Sequence, residues 1–348
     1  MSKGLLAKKS IGALLKESTR HSRVGFKRTL GPFNLVTMGI GAIIGAGLFV
    51  LTGKVAANFT GPGGLLLAFI IAAIIASFSA LCYAEFASLI PISGSAYTYA
   101  YVTMGEFFAW IMGIALTLEY FFSFCTVAVA WSGYFNSLMN GFGVTLSLLI
   151  DQSPLVYHIQ KGWISTGSVL NLPAMLVIVL IAWFSSRGIQ TAALLNNLLV
   201  ILKVGVIILF IGFGLAFIHR ENFIPFIPEN SGVMGEYGWS GILRGAGILF
   251  FAFLGFDAVS TLAQEAKNPQ RDLPIGMLGS LLICALVYIL FGVVLTGVVD
   301  YRSLGVTDPV SIAVAAFGPK FLWFQHVVRF AILAGLTSVM LVMLSGQA

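Results

Sequence analysis

Eight stretches of this chain stay apolar for about 20 residues apiece, the length at which an α-helix crosses the hydrocarbon core of a bilayer. They lie at roughly 33–55, 63–87, 107–135, 170–186, 191–218, 241–265, 277–299 and 325–346. A chain so patterned is expected to be an all-α polytopic membrane protein. Composition excludes the alternative of a soluble globular fold: only 9% of the residues are charged, against about 25% in soluble domains. The 39 glycines among 348 residues suit closely packed and interrupted membrane helices. Cys82, Cys125 and Cys284 all sit inside apolar runs, which gives no support to a disulfide scaffold.

Residues 1–32 read as a separate basic tail. Lys3, Lys8, Lys9, Lys16, Arg20, Arg23, Lys27 and Arg28 face one acid, Glu17, with Leu6, Ile11, Leu14 and Leu15 spaced as a weak amphipathic helix. The net charge of +6 is concentrated there, so the expected partner is the lipid headgroup layer rather than nucleic acid. The apolar segment that follows is too long for a cleaved signal. The positive-inside rule then puts the amino terminus in the cytoplasm of a multi-pass protein of the cell membrane, although the later loops do not reinforce that orientation. Residues 33–348 form the transmembrane domain, and since the last span runs to Ala348 with no flanking charge, the chain looks truncated after eight spans.

Two of the spans are weak as helices, and they stand at matching places. The first reads Gly39-Ile40-Gly41-Ala42-Ile43-Ile44-Gly45-Ala46-Gly47-Leu48-Phe49, with Gly53 beyond; the sixth reads Gly245 to Asp257 with Gly247 and Gly255 inside. Four intact spans separate them. Glycine-interrupted spans in corresponding positions are what two inverted repeats produce, with a binding site near the bilayer midplane. The competing reading of the first is helix packing through the pair Gly41 and Gly45, which does not account for the second. Amides at Gly45, Ala46 and Gly47, at the start of a half-helix, would attract a carboxylate. Carbonyls around Phe251, Ala252 and Leu254 would accept from an ammonium. Together they suit the zwitterionic head of an amino acid.

Three ionisable residues lie away from the ends of the spans: Glu119 near the middle of the third, Lys203 near the middle of the fifth, and Asp257 within the sixth. Each costs about 2.5–3.5 kcal/mol at a helix centre and is a functional candidate for that reason. Lys203 lies too far from either end of its span to snorkel. An amine in that setting can exchange a proton near neutral pH, which would make a proton the coupling ion; the competing role is a permanently paired structural lysine, its ammonium on a carbonyl of the first broken helix. Asp257 either titrates or caps hydrogen bonds at the second break. Glu119 meets a substrate side chain, carries a second proton, or makes a structural hydrogen bond. The histidines His21, His158, His219 and His326 are scattered and suggest no metal site; no cofactor beyond the proton is expected, and no nucleophile–base pair points to an enzyme.

These segments resemble the amino acid–polyamine–organocation superfamily, specifically the cationic amino-acid transporter family and its bacterial proton-coupled members. The resemblance is carried by Gly39 to Phe49, by Tyr83-Ala84-Glu85 through Pro91-Ile92-Ser93-Gly94-Ser95-Ala96-Tyr97-Thr98-Tyr99, and by Phe251 to Asp257 followed by Asn268-Pro269-Gln270-Arg271-Asp272-Leu273-Pro274. It implies a leucine-transporter-like inverted-repeat fold with discontinuous first and sixth helices. It also implies that Gly45-Ala46-Gly47 hold the substrate carboxylate and that Phe251 to Leu254 hold the amine. Phe251 would be an aromatic gate, Ile43 and Leu254 pocket walls, and Lys203 the occupant of an ion site used by sodium-coupled relatives. Ala46 departs from the Ser or Thr of many relatives. Met343 falls where animal cationic transporters carry a small Ser, which favours small neutral amino acids such as alanine, although Glu119 would suit a cationic side chain. The expected activity is proton-coupled uptake of amino acids by alternating access. The alternatives are a cationic amino-acid transporter or exchanger and, in a different class, an amino-acid-binding membrane receptor without flux.

Overall fold

The computed structural model describes residues 28–158, 162–186 and 189–347, besides Lys8 and Gly12; the basic tail expected over 1–32 lies almost wholly outside the described residues. Helix α1 (Pro32–Ile43) opens on a proline in its first turn, where a missing N–H costs nothing. It stops at Ile44, whose ψ of 106° is extended. The chain then winds on as a wide π turn over Gly47–Leu51, a short α2 (Thr52–Val55) and a second π turn over Ala56–Thr60. Thr52 and Thr60 fill the loosened ladder by donating their hydroxyls five residues back, to the Gly47 carbonyl at 3.4 Å and the Val55 carbonyl at 3.1 Å.

Gly61 reverses the direction at φ +68°, a conformation open to glycine, and α3 (Gly61–Leu89) returns. Both Val55 and Ala68 lie against Gly245, although 13 residues of straight helix would hold them about 20 Å apart. After it come α4 (Ser95–Thr103), α5 (Glu106–Gly141), an antiparallel hairpin of β1 (Leu155–His158) with β2 (Gly162–Ser165), α6 (Leu172–Ser186) and α7 (Ile189–Gly214). The sixth span is broken as expected: α8 (Gly238–Phe250) ends in a 3-10 turn over Phe251–Phe253, and helix resumes only at α9 (Ala258–Thr261). Then follow α10 (Pro269–Val298), α11 (Pro309–Ala315) and α12 (Leu322–Gln347).

Among the described residues six helical runs are long and apolar enough to cross a membrane, with Pro32–Ile43 and Leu172–Ser186 as shorter apolar helices. The eight expected spans map onto these because the run Gly47–Leu89 holds the later part of the first span and the whole of the second, folded at Gly61. One boundary needs correction. The seventh span, expected over 277–299, starts earlier: α10 begins at Pro269, whose missing N–H costs nothing in a first turn, and carries Pro274 inside it.

Packing follows from small residues. Along α3, Ala68, Ala72, Ala76, Ala80, Ala84 and Ala87 are all buried, while Ile70, Ile74, Phe78 and Leu81 point outward. That stripe lets α8 and α10 approach α3 closely. Helix α10 also covers α1, and α12 packs between α5 and α7. One continuous apolar core therefore surrounds both breaks.

Candidate functional site

The two interruptions meet at the centre of this core. Leu48 is the first amide after the break to find a backbone acceptor, the Gly45 carbonyl at 3.1 Å; the amides of Gly45, Ala46 and Gly47 stand ahead of it without one among the described residues. They form the open first turn of a half-helix, where unpaired donors and the positive dipole end coincide. Gly47 sits directly on Ala252, so closely that a methyl on Gly47 would overlap the Ala252 backbone. Gly255, at φ +109°, lies against the Ala42 carbonyl.

Tyr288 of α10 joins the breaks. Its buried hydroxyl lies 3.0 Å from the Ile43 carbonyl oxygen and 2.9 Å from that of Ala252. A phenol has one proton, so it donates to one of these carbonyls at a time and leaves lone pairs on the other. Of the carbonyls expected to meet an ammonium, Ala252 is thus engaged by Tyr288, and Phe251 accepts from the Leu254 amide at 3.3 Å. The Leu254 carbonyl receives no hydrogen bond among the described residues. Phe251 and Leu254 are half-buried, and Ile43 and Ala46 are buried.

Lys203 enters from α7 and is 1% exposed. Its ammonium donates to the Gly41 carbonyl, to the Ile44 carbonyl at 2.9 Å and to Ser338 Oγ of α12 at 3.2 Å. Three N–H donors thus meet three neutral oxygens, two of them carbonyls released where α1 ends. The lysine stem runs along Gly335, where a side chain would crowd it. Val339, one turn on from Gly335, packs against Gly45. Met343, a further turn on, is buried in the same core.

Asp257 belongs to a different cluster. It is 5% exposed and accepts from the Tyr120 hydroxyl at 2.7 Å. Glu119, beside Tyr120 on α5, is half-buried and within electrostatic reach of Asp257. Lys203 and Asp257, both candidates for proton coupling, are therefore not brought together. Past Thr261, where the helical run of the sixth span ends, burial raises the Glu265 carboxyl above the usual carboxylate range. No group of metal-ligating side chains is found among the described residues.

The amino acid permease family profile matches residues 30–348. The chain belongs to that family. The methylthioribose transporter of Bacillus subtilis (strain 168) is 40% identical to it over 343 residues, 99% of this chain and 70% of that protein. Branched-chain amino acid permease BcaP of the same strain is 41% identical over 348 residues, 100% of this chain and 70% of the relative. Cationic amino acid transporter 1 of Arabidopsis thaliana is 34% identical over 334 residues, 96% and 53% respectively. The protein is thus a multi-pass membrane permease and not an enzyme, and the family brings the leucine-transporter-like fold that the resemblance implied.

Sequence reasoning missed Tyr288, Ser338 and Tyr120, which supply the hydroxyls of this permease's polar centre. The available signal was a hydroxyl-bearing residue inside a long apolar run, with Tyr120 next to the already suspected Glu119.

Proposed function

We propose that this permease takes up small neutral L-amino acids, alanine among them, together with protons, by alternating access around the two breaks. The observation that carries the reading is the ammonium of Lys203, a buried charge held by the Gly41 and Ile44 carbonyls and Ser338. In this reading the substrate carboxylate sits on the amides of Gly45, Ala46 and Gly47. The substrate ammonium takes the Leu254 carbonyl and whichever of the Ile43 and Ala252 carbonyls Tyr288 leaves without a proton. Loss of the Lys203 proton removes its charge and one of its three donors from the end of α1, so the charge on Lys203 and the position of α1 relative to α7 and α12 change together. Buried Met343 and Val339 shorten the space for a side chain and favour small substrates. The basic tail keeps the amino terminus on the cytoplasmic side of the cell membrane.

A second reading, a branched-chain aliphatic substrate, is favoured by the 41% identity with BcaP. The test is uptake into proteoliposomes under an inward proton gradient, with labelled alanine, leucine and arginine in parallel. Accumulation of alanine that collapses with the gradient, and is absent in Lys203→Ala, is expected. A Lys203→Ala protein that still concentrates substrate would refute coupling at this lysine. Counterflow insensitive to pH would make the protein an exchanger.

A further inference from the structure

On the far side of the breaks from the start of α1, a buried ion pair closes a junction of three elements. Asp308 and Arg329 have side chains 8% and 11% exposed, and Arg329 Nε lies 3.1 Å from Asp308 Oδ2. The same nitrogen donates to Ser311 Oγ at 2.9 Å, the Ser311 amide donates to Asp308 Oδ1 at 3.1 Å, and Ser137 of α5 donates its hydroxyl to Asp308 Oδ2. Gln325 of α12 adds a bond to the Ser311 carbonyl at 3.0 Å. Asp308 is the residue just before α11, so these bonds tie α11 to α5 and α12.

The junction extends to the half of the first span that follows the break. Pro309 of α11 packs on Gly53 of α2 so closely that a side chain at 53 would collide with it. Tyr134, one turn before Ser137 on α5, donates its hydroxyl to the Phe49 carbonyl at 2.7 Å. One face of α5 therefore grips both the half-helix that follows the break and the short helix lying over it.

We propose that the Asp308–Arg329 pair, together with Ser137, is a latch that keeps this face of the permease closed and is exchanged for water when the face opens. An apolar junction would bind as well or better, since desolvating two charges offsets most of their attraction. A charged junction differs in what happens on opening. Both groups then regain hydration, so the closed and open forms can lie close in free energy, as a two-state carrier requires. The inference rests on the alternating-access reading.

The test measures accessibility without substrate. Ala313 on α11 is fully buried, and Ala313→Cys placed in the full chain in lipid nanodiscs is reacted with a polar methanethiosulfonate, the parent with its three native cysteines serving as blank. Slow labelling is expected, rising on the order of tenfold when Arg329→Ala or Asp308→Asn is added and returning toward the parent rate in the charge-swapped pair Asp308→Arg with Arg329→Asp. Ser137→Ala, which removes a single hydrogen bond and keeps both charges, is expected to raise the rate about threefold. Labelling unchanged in folded Arg329→Ala and Ser137→Ala proteins would overturn the latch and leave a static brace. Uptake measured in parallel separates the two ideas: faster labelling in a protein whose parent moves no substrate would leave the latch standing and remove the transport reading.

Discussion

Gly47 and Ala252 touch backbone to backbone, which makes them the point where the two interrupted spans are locked together. Gly47→Ala is expected to destabilise by about 1–3 kcal/mol through overpacking and to abolish uptake, because the displaced half-helix carries the open amides with it. Ala252→Gly should not rescue it, since the collision includes the Ala252 Cα as well as its methyl. Thermal unfolding and uptake of the single and double variants check both statements.

Tyr288→Phe removes the hydroxyl that, among the described residues, serves the Ile43 and Ala252 carbonyls. An unsatisfied buried acceptor costs about 1–3 kcal/mol. The expected outcome is a lower melting temperature and a higher KM, with the ring packing on Phe69 and Phe253 retained. Uptake kinetics unchanged from the parent would show that Tyr288 has no part in the site.

Lys203 and Asp257 occupy separate polar clusters, one on Gly41, Ile44 and Ser338, the other on Tyr120. Sites with no shared partner add in stability to within about 0.3–0.5 kcal/mol. Lys203→Met and Tyr120→Phe should therefore combine additively in urea or thermal unfolding. A coupling larger than about 1 kcal/mol would mean that the two clusters communicate.

Met343 is buried one turn beyond Val339, which rests on Gly45. Met343→Ser shortens the side chain by two heavy atoms and opens room toward the break. Competition uptake is expected to show a several-fold gain for leucine or arginine relative to alanine. An unaltered ranking would place the specificity wall elsewhere.

Some of this architecture was legible because it is written in local chemistry. Glycines at 45 and 47 weaken a helix wherever it packs, and a lysine among leucines and valines at 203 demands oxygen partners in any apolar fold. The contact named for the competing, structural role of Lys203, an ammonium on carbonyls of the first broken helix, is present at Gly41 and Ile44. The π turns around Leu51 and Thr60 were not legible, since they leave the same apolar pattern as an α-helix. Nor was the start of α10 at Pro269, ahead of the span expected from 277, since Pro269 stands in a first turn that needs no N–H and Pro274 is carried inside the helix. The hydroxyl of Tyr288 reaches back 245 residues to Ile43, a separation at which no periodicity carries information.

The sequence by itself determined that the chain lives in lipid, that its first and sixth spans are weak as continuous helices, and that a buried cation on the fifth must find oxygen partners. Hydropathy and glycine content act over one or two helical turns, so they can be read from neighbours along the chain. Tertiary structure alone decided which oxygen each polar group meets, that Lys203 and Asp257 stay apart, and that Arg329 finds Asp308. Those pairings depend on how helices distant in sequence lie across one another, and that is fixed only once their small-residue faces have packed.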